Sequence, residues 1–327
     1  MSRPWPTYST GLSSHYFTFE AAEPATPERI AGADRYATAA RASQAWSSGT
    51  GVVYVVNGQD FPDALTAAAR AGVYDAPVLL TRPTEIPGPT ASALERLSPA
   101  RVVVVGGTGS VSATVAEELR DHATTGDLTR VGGSNRYVTA ANMASYYPSG
   151  RSRVYLASGE DHPDALAGAA LAGHEHLPLL LTRQDRLDTA TLQQLSRLNA
   201  DEVVVLGGSQ AVADEVAAQA ATHTRSGSYR RLAGSDRYAT MARVAQQFPA
   251  GSGQAFVASG QDFPAALVGA ALAGGLRGVP LVLTANDTVR GGTSTALNRI
   301  RPRTMSVLGG AHVVSDETVD RLADFLQ

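Results

Sequence analysis

Val52-Val-Tyr-Val-Val56 runs directly into Asn57-Gly-Gln-Asp-Phe-Pro-Asp-Ala-Leu65, and that junction decides the fold class. Continuous apolar runs with no polar alternation read as strands buried on both faces, the hallmark of a parallel sheet. A helix start follows. Asp60 suits the N-cap, Pro62 the first turn and Asp63 the third position, and both carboxylates would meet the positive end of the helix dipole. Pro62 to Ala71 and Pro89 to Leu97 are helical stretches rich in Ala and Leu. Pro77-Val-Leu-Leu-Thr81 and Val102 to Val105 are further apolar runs. This alternation demands an α/β architecture: an open parallel sheet, covered by helices and joined by right-handed crossovers.

The pattern occurs three times. Arg29-Ile-Ala-Gly-Ala-Asp-Arg-Tyr-Ala-Thr38 returns as Arg130-Val-Gly-Gly-Ser-Asn-Arg-Tyr-Val-Thr139 and Arg231-Leu-Ala-Gly-Ser-Asp-Arg-Tyr-Ala-Thr240, so Arg35, Arg136 and Arg237 are 101 residues apart. The Asn57–Leu65 motif returns from Ser158 and Ser259, the Pro77–Thr81 strand from Pro178 and Pro280, and the strand ending Gly106-Gly107 as those ending Gly207-Gly208 and Gly309-Gly310. A repeat of this length is a small domain rather than a solenoid unit. The division is an N-terminal arm over 1–27 and units over 28–127, 128–228 and 229–327. Leu128–Val131 and Tyr229–Leu232 read as a short extra strand before the Asp-Arg-Tyr helix. The first unit lacks a clear equivalent, because Pro24 and Pro27 precede Arg29.

Composition narrows the function classes. The 327 residues are 43% hydrophobic and carry a net charge of −3, which argues against nucleic acid as a partner. There is no cysteine, so disulfides, thiolate nucleophiles and Cys-based metal sites are excluded. All 27 basic residues are arginine, as a GC-rich genome would produce. Each is therefore a planar fork suited to carboxylate and phosphate, and Schiff-base or P-loop lysine chemistry is ruled out. No apolar run reaches the length of a membrane span. The first twenty residues lack the basic-then-apolar pattern of a secretory signal, so either a leader has been removed or the protein reaches its site by another route.

Open parallel sheets bind ligands beyond the carboxyl ends of their strands. Asn57, Thr81 and Gly107 belong there, with Asp60, Asp63 and Arg35 opening helices on the same edge. The second unit offers Arg136, Ser158, Asp161, Asp164, Thr182 and Gly208, and the third Arg237, Ser259, Asp262, Thr284 and Gly310. Each has a competing structural reading. The aspartates cap helices. The glycines make tight turns. The arginines pair with a neighbouring aspartate or span units, and Tyr36, Tyr137 and Tyr238 pack. Asn135 replaces an aspartate and Ala265 replaces the second carboxylate of its motif, which weakens any glycosidase acid/base pair. The Gly-Gly turn is not a dinucleotide fingerprint, so no cofactor is expected. The histidines do not recur with the repeat, His174 and His176 do not make a convincing metal site, and no repeated Ser-His pair suggests a triad.

The three motif sets together resemble the cell wall-binding repeat 2 family of bacterial surface proteins, over about residues 28–327. The resemblance implies Rossmann-like or flavodoxin-like units packed with pseudo-threefold symmetry. It also implies non-catalytic attachment to an anionic cell-wall polysaccharide or teichoic-acid-like polymer of Gram-positive bacteria. The recurrent Arg, Asp and Thr residues are the ligand candidates it points to. The expected location is extracellular and wall-associated, with a virion or other particle surface of an actinobacterium-like host as the alternative. No membrane partner is expected, and residues 1–24 are a candidate docking arm for a protein. Two rival readings stay open, a structural assembly body and a polysaccharide hydrolase.

Overall fold

The computed structural model describes residues 26–327 apart from Phe61, His162, Leu276 and Arg277. The expected N-terminal arm lies, but for its last two residues, outside the described residues. The chain begins with β1 (Glu28–Ile30), α1 (Arg35–Ala42), β2 (Val52–Asn57), α2 (Pro62–Val73), β3 (Val78–Thr81), α3 (Gly88–Leu97), β4 (Arg101–Val105) and α4 (Ala113–Asp121). It continues with β5 (Asp127–Val131), α5 (Arg136–Ala144), β6 (Arg153–Ser158), α6 (Pro163–His174), β7 (Leu179–Thr182), α7 (Thr189–Leu198), β8 (Glu202–Leu206) and α8 (Asp214–Ala221). It ends with β9 (Tyr229–Leu232), α9 (Arg237–Ala245), β10 (Gln254–Ser259), α10 (Phe263–Gly275), β11 (Leu281–Thr284), α11 (Gly291–Ile300), β12 (Thr304–Leu308) and α12 (Asp316–Ala323).

The strands form three four-stranded parallel sheets, ordered β3-β2-β4-β5, β7-β6-β8-β9 and β11-β10-β12-β1. The expected α/β class with open parallel sheets is what the structure shows. Apolar runs became strands because both faces are covered: all six residues of β2 are buried. Each buried Val or Leu side chain contributes about 1.5–3 kcal/mol relative to an exposed one.

One sequence reading needs correction. The first unit does have the extra strand. It is β1, and it pairs with β12 through Glu28↔Ser306, Arg29↔Val307 and Ile30↔Leu308. Pro27 precedes the strand, where it forfeits no ladder hydrogen bond. The first unit looked incomplete because the partner of this strand lies about 280 residues away. β5 and β9 follow the same rule, pairing with the last strand of the preceding repeat. The helix after each of these strands instead packs on the next lobe, α1 against β3 and α3, α5 against β7 and α7, α9 against β11 and α11. Every repeat therefore straddles two lobes, and β1 closes the ring.

At the centre α2, α6 and α10 pack against one another. They are buried on nearly every side and built mainly from Ala, Leu and Gly, as enclosed helices should be. From Pro62 to Gly72, every residue of α2 except Asp63 is buried. Gly72, Gly173 and Gly274 meet on the axis. A Cβ on Gly72 would lie 2.7 Å from the Gly173 Cα and 3.1 Å from the Gly274 carbonyl carbon. Glycine is required here by lack of space, not by backbone conformation. Among the described residues no helix is long and apolar enough to cross a membrane.

A second device recurs without having been recognised in the sequence. Arg96, Arg197 and Arg299 donate to carbonyls at the ends of α1, α5 and α9 or just beyond them: Ser43 and Trp46, Ala144 and Tyr147, Gln246 and Phe248. Each satisfies orphan carbonyls and places a cation at the negative end of the dipole.

Overpacking a filled core costs about 1–3 kcal/mol or more. Gly72→Val should therefore lower the chemical-denaturation midpoint by at least that equivalent. Gly88→Ala, at a helix start with open space around it, should leave the midpoint unchanged or slightly raised.

Candidate functional site

The carboxyl ends of the strands in each sheet meet the Asp-Arg-Tyr helix of the next repeat, so each of the three seams is built from two lobes. The first arginine of the motif fastens its strand to the end of the neighbouring strand in the same sheet, joining one repeat to another. Arg29, Arg130 and Arg231 donate to the Gly309, Gly106 and Gly207 carbonyls at 2.8, 2.9 and 2.8 Å. These glycines have φ of +105°, +120° and +94°, the left-handed region that side chains avoid. A Cβ there would also strike Asp63 Oδ2 or Asp164 Oδ2 in the first two lobes.

The motif's acidic residue is a helix cap. Asp34, Asn135 and Asp236 accept from the backbone N–H of Ala37, Val138 and Ala239 at 2.8, 2.9 and 2.8 Å. Asn caps as well as Asp, which is why position 135 tolerates the change. The arginine beside it is held by a carbonyl. Arg35 Nη1 donates to Gly58 O at 2.7 Å and Arg237 Nη1 to Gly260 O at 2.6 Å, and Arg136 bonds Gly159 O in the same way. Arg35 is exposed, and Arg136 and Arg237 are half-buried. The Arg35 guanidinium also lies 5.9 Å from the Phe263 ring centroid in the third lobe, across the seam.

The tyrosines pack, as expected of them. Tyr36, Tyr137 and Tyr238 are buried. A Cβ on Gly58, Gly159 or Gly260 would fall within 2.9 Å of those rings, which accounts for the recurrent glycine. Over each ring lies an arginine that motif reading passed over: Arg82 at 5.3 Å, Arg183 at 4.7 Å and Arg290 at 6.0 Å. Arg82 and Arg183 directly follow the recurrent Thr81 and Thr182. That spacing was the available signal in the first two lobes, whereas Arg290 comes from a different position.

The remaining candidates divide by burial. Asn57, Ser158 and Ser259 are buried, and their side-chain oxygens accept from Gln59, Glu160 and Gln261 N–H at 2.9, 3.1 and 3.1 Å. These are local turns that set the loop before the central helix. Thr81, Thr182 and Thr284 are wholly buried. They brace the loop after their strands by donating to the Glu85, Arg186 and Thr288 carbonyls at 3.0, 3.1 and 3.3 Å. Neither set presents a free group to a surface ligand, although Ser158 borders the cleft described next.

That cleft occupies the seam between the second and third lobes, with a volume of about 450 Å³. Asp161, Asp164, Gln184, Gly208 and Gln210 line it from one side, and Asp236, Arg237 and Thr240 from the other. The seam between the third and first lobes holds a smaller cleft of about 240 Å³, with Asp262, Ala265 and Gly310 facing Asp34, Arg35 and Thr38. At the remaining seam Gly107 stands against Gly133 of the second repeat, a Cβ on it falling 3.1 Å from the Gly133 carbonyl oxygen. Asp63 lies there beside Asp60, Arg136 and Thr139.

Asp63 and Asp164 are the electrostatically perturbed pair. Burial pushes the Asp164 carboxyl up to about 6, opposed by the Thr240 hydroxyl and the Arg237 guanidinium, while Asp161 and Asp236 push the same way as burial. Burial likewise raises Asp63, opposed by Thr139 and Arg136. Among the described residues Oδ1 of each is buried with no hydrogen-bond partner, an unsatisfied acceptor beneath the surface of these two seams. Ala265 removes that acceptor from the third seam.

Residues 29–116, 130–217 and 231–319 each match the family described as cell wall binding domain 2 (CWB2). The chain is 26% identical over 295 residues to the N-acetylmuramoyl-L-alanine amidase LytC of Bacillus subtilis (strain 168), covering 90% of this chain and 58% of that protein. It is 28% identical over 300 residues to the amidase enhancer of the same organism, covering 92% of this chain and 40% of the relative. The solved structure of Cwp6 from Clostridium difficile superposes with a TM-score of 0.83 at 28% identity, over 96% of this chain and 50% of that one. The chain thus spans about half the length of the proteins it matches.

Asp164 supplies a stability test. A carboxyl whose folded pKa is raised makes its favourable contribution below the unfolded value near 3.8 and loses it as pH rises through about 6. Asp164→Asn should therefore raise the melting temperature at pH 7.5, by the equivalent of roughly 1–3 kcal/mol. The gain should shrink towards pH 4, read by thermal melts across that range.

Proposed function

The chain belongs to the cell wall binding domain 2 family, and from that premise we propose that it grips an anionic cell-wall glycopolymer without catalysis, at seams repeated around one rim. The observation that carries the reading is the seam itself. An arginine fork held by a backbone carbonyl stands beside carboxylates and amides in a cleft that two lobes build together. Carboxylates and amides accept and donate to sugar hydroxyls, and guanidinium forks suit phosphate or carboxylate groups on the polymer. Arg82, Arg183 and Arg290 add a second cation near each seam and support the anionic preference. Seams repeated along one polymer multiply weak contacts into strong retention.

The three seams are unequal in this reading. The second-to-third seam, with the larger cleft and Asp164, is the principal sugar-hydroxyl site. The third-to-first seam, with Ala265, contributes chiefly through Arg35. The same inequality supports a binding role over hydrolysis, because one lobe lacks the second carboxylate that a paired acid/base mechanism needs. Attachment to the wall places the protein outside the cell. The activity in the name of one relative stays with that relative, since this chain matches only part of its length.

Arg35→Gln, Arg136→Gln and Arg237→Gln combined should reduce co-sedimentation with purified cell walls by roughly a hundredfold or more while circular dichroism stays unchanged. Wild-type protein should also fail to sediment with walls stripped of their anionic polymer. Undiminished sedimentation of the triple variant would overturn the assignment.

A further inference from the structure

The lobes differ most at the ends of the strands opposite the rim. In the first lobe Arg70 is only 7% exposed. Its guanidinium lies 4.4 Å from the Tyr147 ring centroid, 4.8 Å from Tyr74 and 5.7 Å from Tyr146, and Nη2 donates to Tyr74 Oη at 3.0 Å. Beside it opens a cleft of about 140 Å³ whose lining includes Tyr54, Arg70, Tyr74, Arg101 and Tyr146. Arg101 Nε is buried with no hydrogen-bond partner among the described residues. Among the described residues neither Arg70 nor Arg101 has an ion pair with a carboxylate. Tyr74 and Tyr146, 49% and 52% exposed, flank the mouth.

The second lobe shows what a self-sufficient version looks like. One 101-residue step along the chain turns Arg70, Tyr74, Arg101 and Tyr146 into Leu171, Glu175, Glu202 and Gln247. Glu175 there accepts from Arg153 at 3.0 Å and from Tyr155 Oη at 2.6 Å. Arg230 reaches Glu202 at 3.3 Å and Gln247 at 3.1 Å. Each charge on those residues has an opposite charge at hand. In the third lobe Leu272 replaces the arginine, and the cleft there sets Arg41 beside Glu28, Gln254 and Ser306. Among the described residues the first lobe is the one whose cleft gathers two arginines with no carboxylate in its lining. Buried cations are costly unless paired, and the tyrosine faces offset part of that cost.

We propose that the Arg70 cage is a second binding site, independent of the rim, for one acidic sugar ring. Its carboxylate or phosphate sits on Arg70 and Arg101, and its ring lies against Tyr74 and Tyr146. The cleft of about 140 Å³ takes the anionic group, and the pyranose ring rests outside it against the tyrosines at the mouth. Burial keeps the Tyr54 hydroxyl protonated at neutral pH despite Arg70 and Arg101, so it adds a donor for an anion. Exposed aromatic faces suit the apolar face of a pyranose.

The test is isothermal titration of the full chain with glucuronate, glucose 1-phosphate, glucose and inorganic phosphate. The acidic sugars should bind saturably and glucose should not. The tighter of the two acids identifies carboxylate or phosphate as the anion. Arg70→Leu and Tyr146→Gln install residues that the second lobe already folds with, and each should weaken binding at least tenfold with little change in melting temperature. In the background lacking Arg35, Arg136 and Arg237, Arg70→Leu should still weaken binding of the acids at least tenfold, which separates this site from the rim. The proposal fails if neither acid binds, if Arg70→Leu binds as wild type does, or if glucose binds as well as the acids. It fails equally if inorganic phosphate matches the sugar acids, because the ring would then contribute nothing.

Discussion

Edge-strand donation governs this molecule. A three-stranded parallel sheet leaves a row of backbone donors and acceptors open beside β4, β8 or β12, and an open edge invites unwanted pairing. Each is covered by the strand that opens another repeat, and the last is covered by β1 from the other end of the chain. The lobes are therefore joined by backbone ladders as well as by side chains. Because β1 and β12 lie at opposite ends of the chain, the final ladder forms only when the ring closes. Long-range pairing of this kind slows folding, since chain entropy is lost before the contact forms.

The seams follow directly. The strand delivers its chain to one lobe and the helix after it to the next, so the short link between them must cross the boundary. That link carries the Gly-x-Asp/Asn-Arg-Tyr stretch, in which the glycine N–H donates to Thr38, Thr139 or Thr240 and the arginine turns back onto its own lobe. The groups that can meet a ligand are thus placed by backbone geometry and helix caps rather than by mobile loops, which lowers the ordering cost of binding. The raised pKa of Asp164 shows the opposite side of the arrangement: the seam keeps a carboxylate where the folded state would be more stable without its charge. Sites that trade stability for an exposed or unsatisfied polar group are commonly functional.

Threefold repetition does not mean threefold equivalence. Internal symmetry fixes the strands, the caps and the axis glycines, where any change would be felt by all lobes. It leaves the far ends of the sheets free to diverge, and they have diverged into a tyrosine-walled arginine, an ion-pair network and an open polar cleft. A repeat scaffold can in this way carry one shared rim and also a site present in a single copy.

The amino-acid sequence by itself determined the parallel α/β class, the threefold repeat and the family, because apolar runs, helix starts and motif spacing are local signals. It also marked Arg35, Arg136 and Arg237 as residues of a rim, since strand ends and helix starts are countable along the chain. Tertiary structure alone decided which of the candidates can meet a ligand: Thr81 and Asn57 sit in the same motifs as Asp60, yet they are buried and occupied by nearby backbone. It also decided that β1 completes the last sheet, that the glycines at 72, 173 and 274 touch, and that Arg70 stands among tyrosines from two repeats. Those outcomes rest on contacts between residues from about 70 to 280 positions apart, and no local pattern of polarity or propensity encodes which distant surface a residue will face.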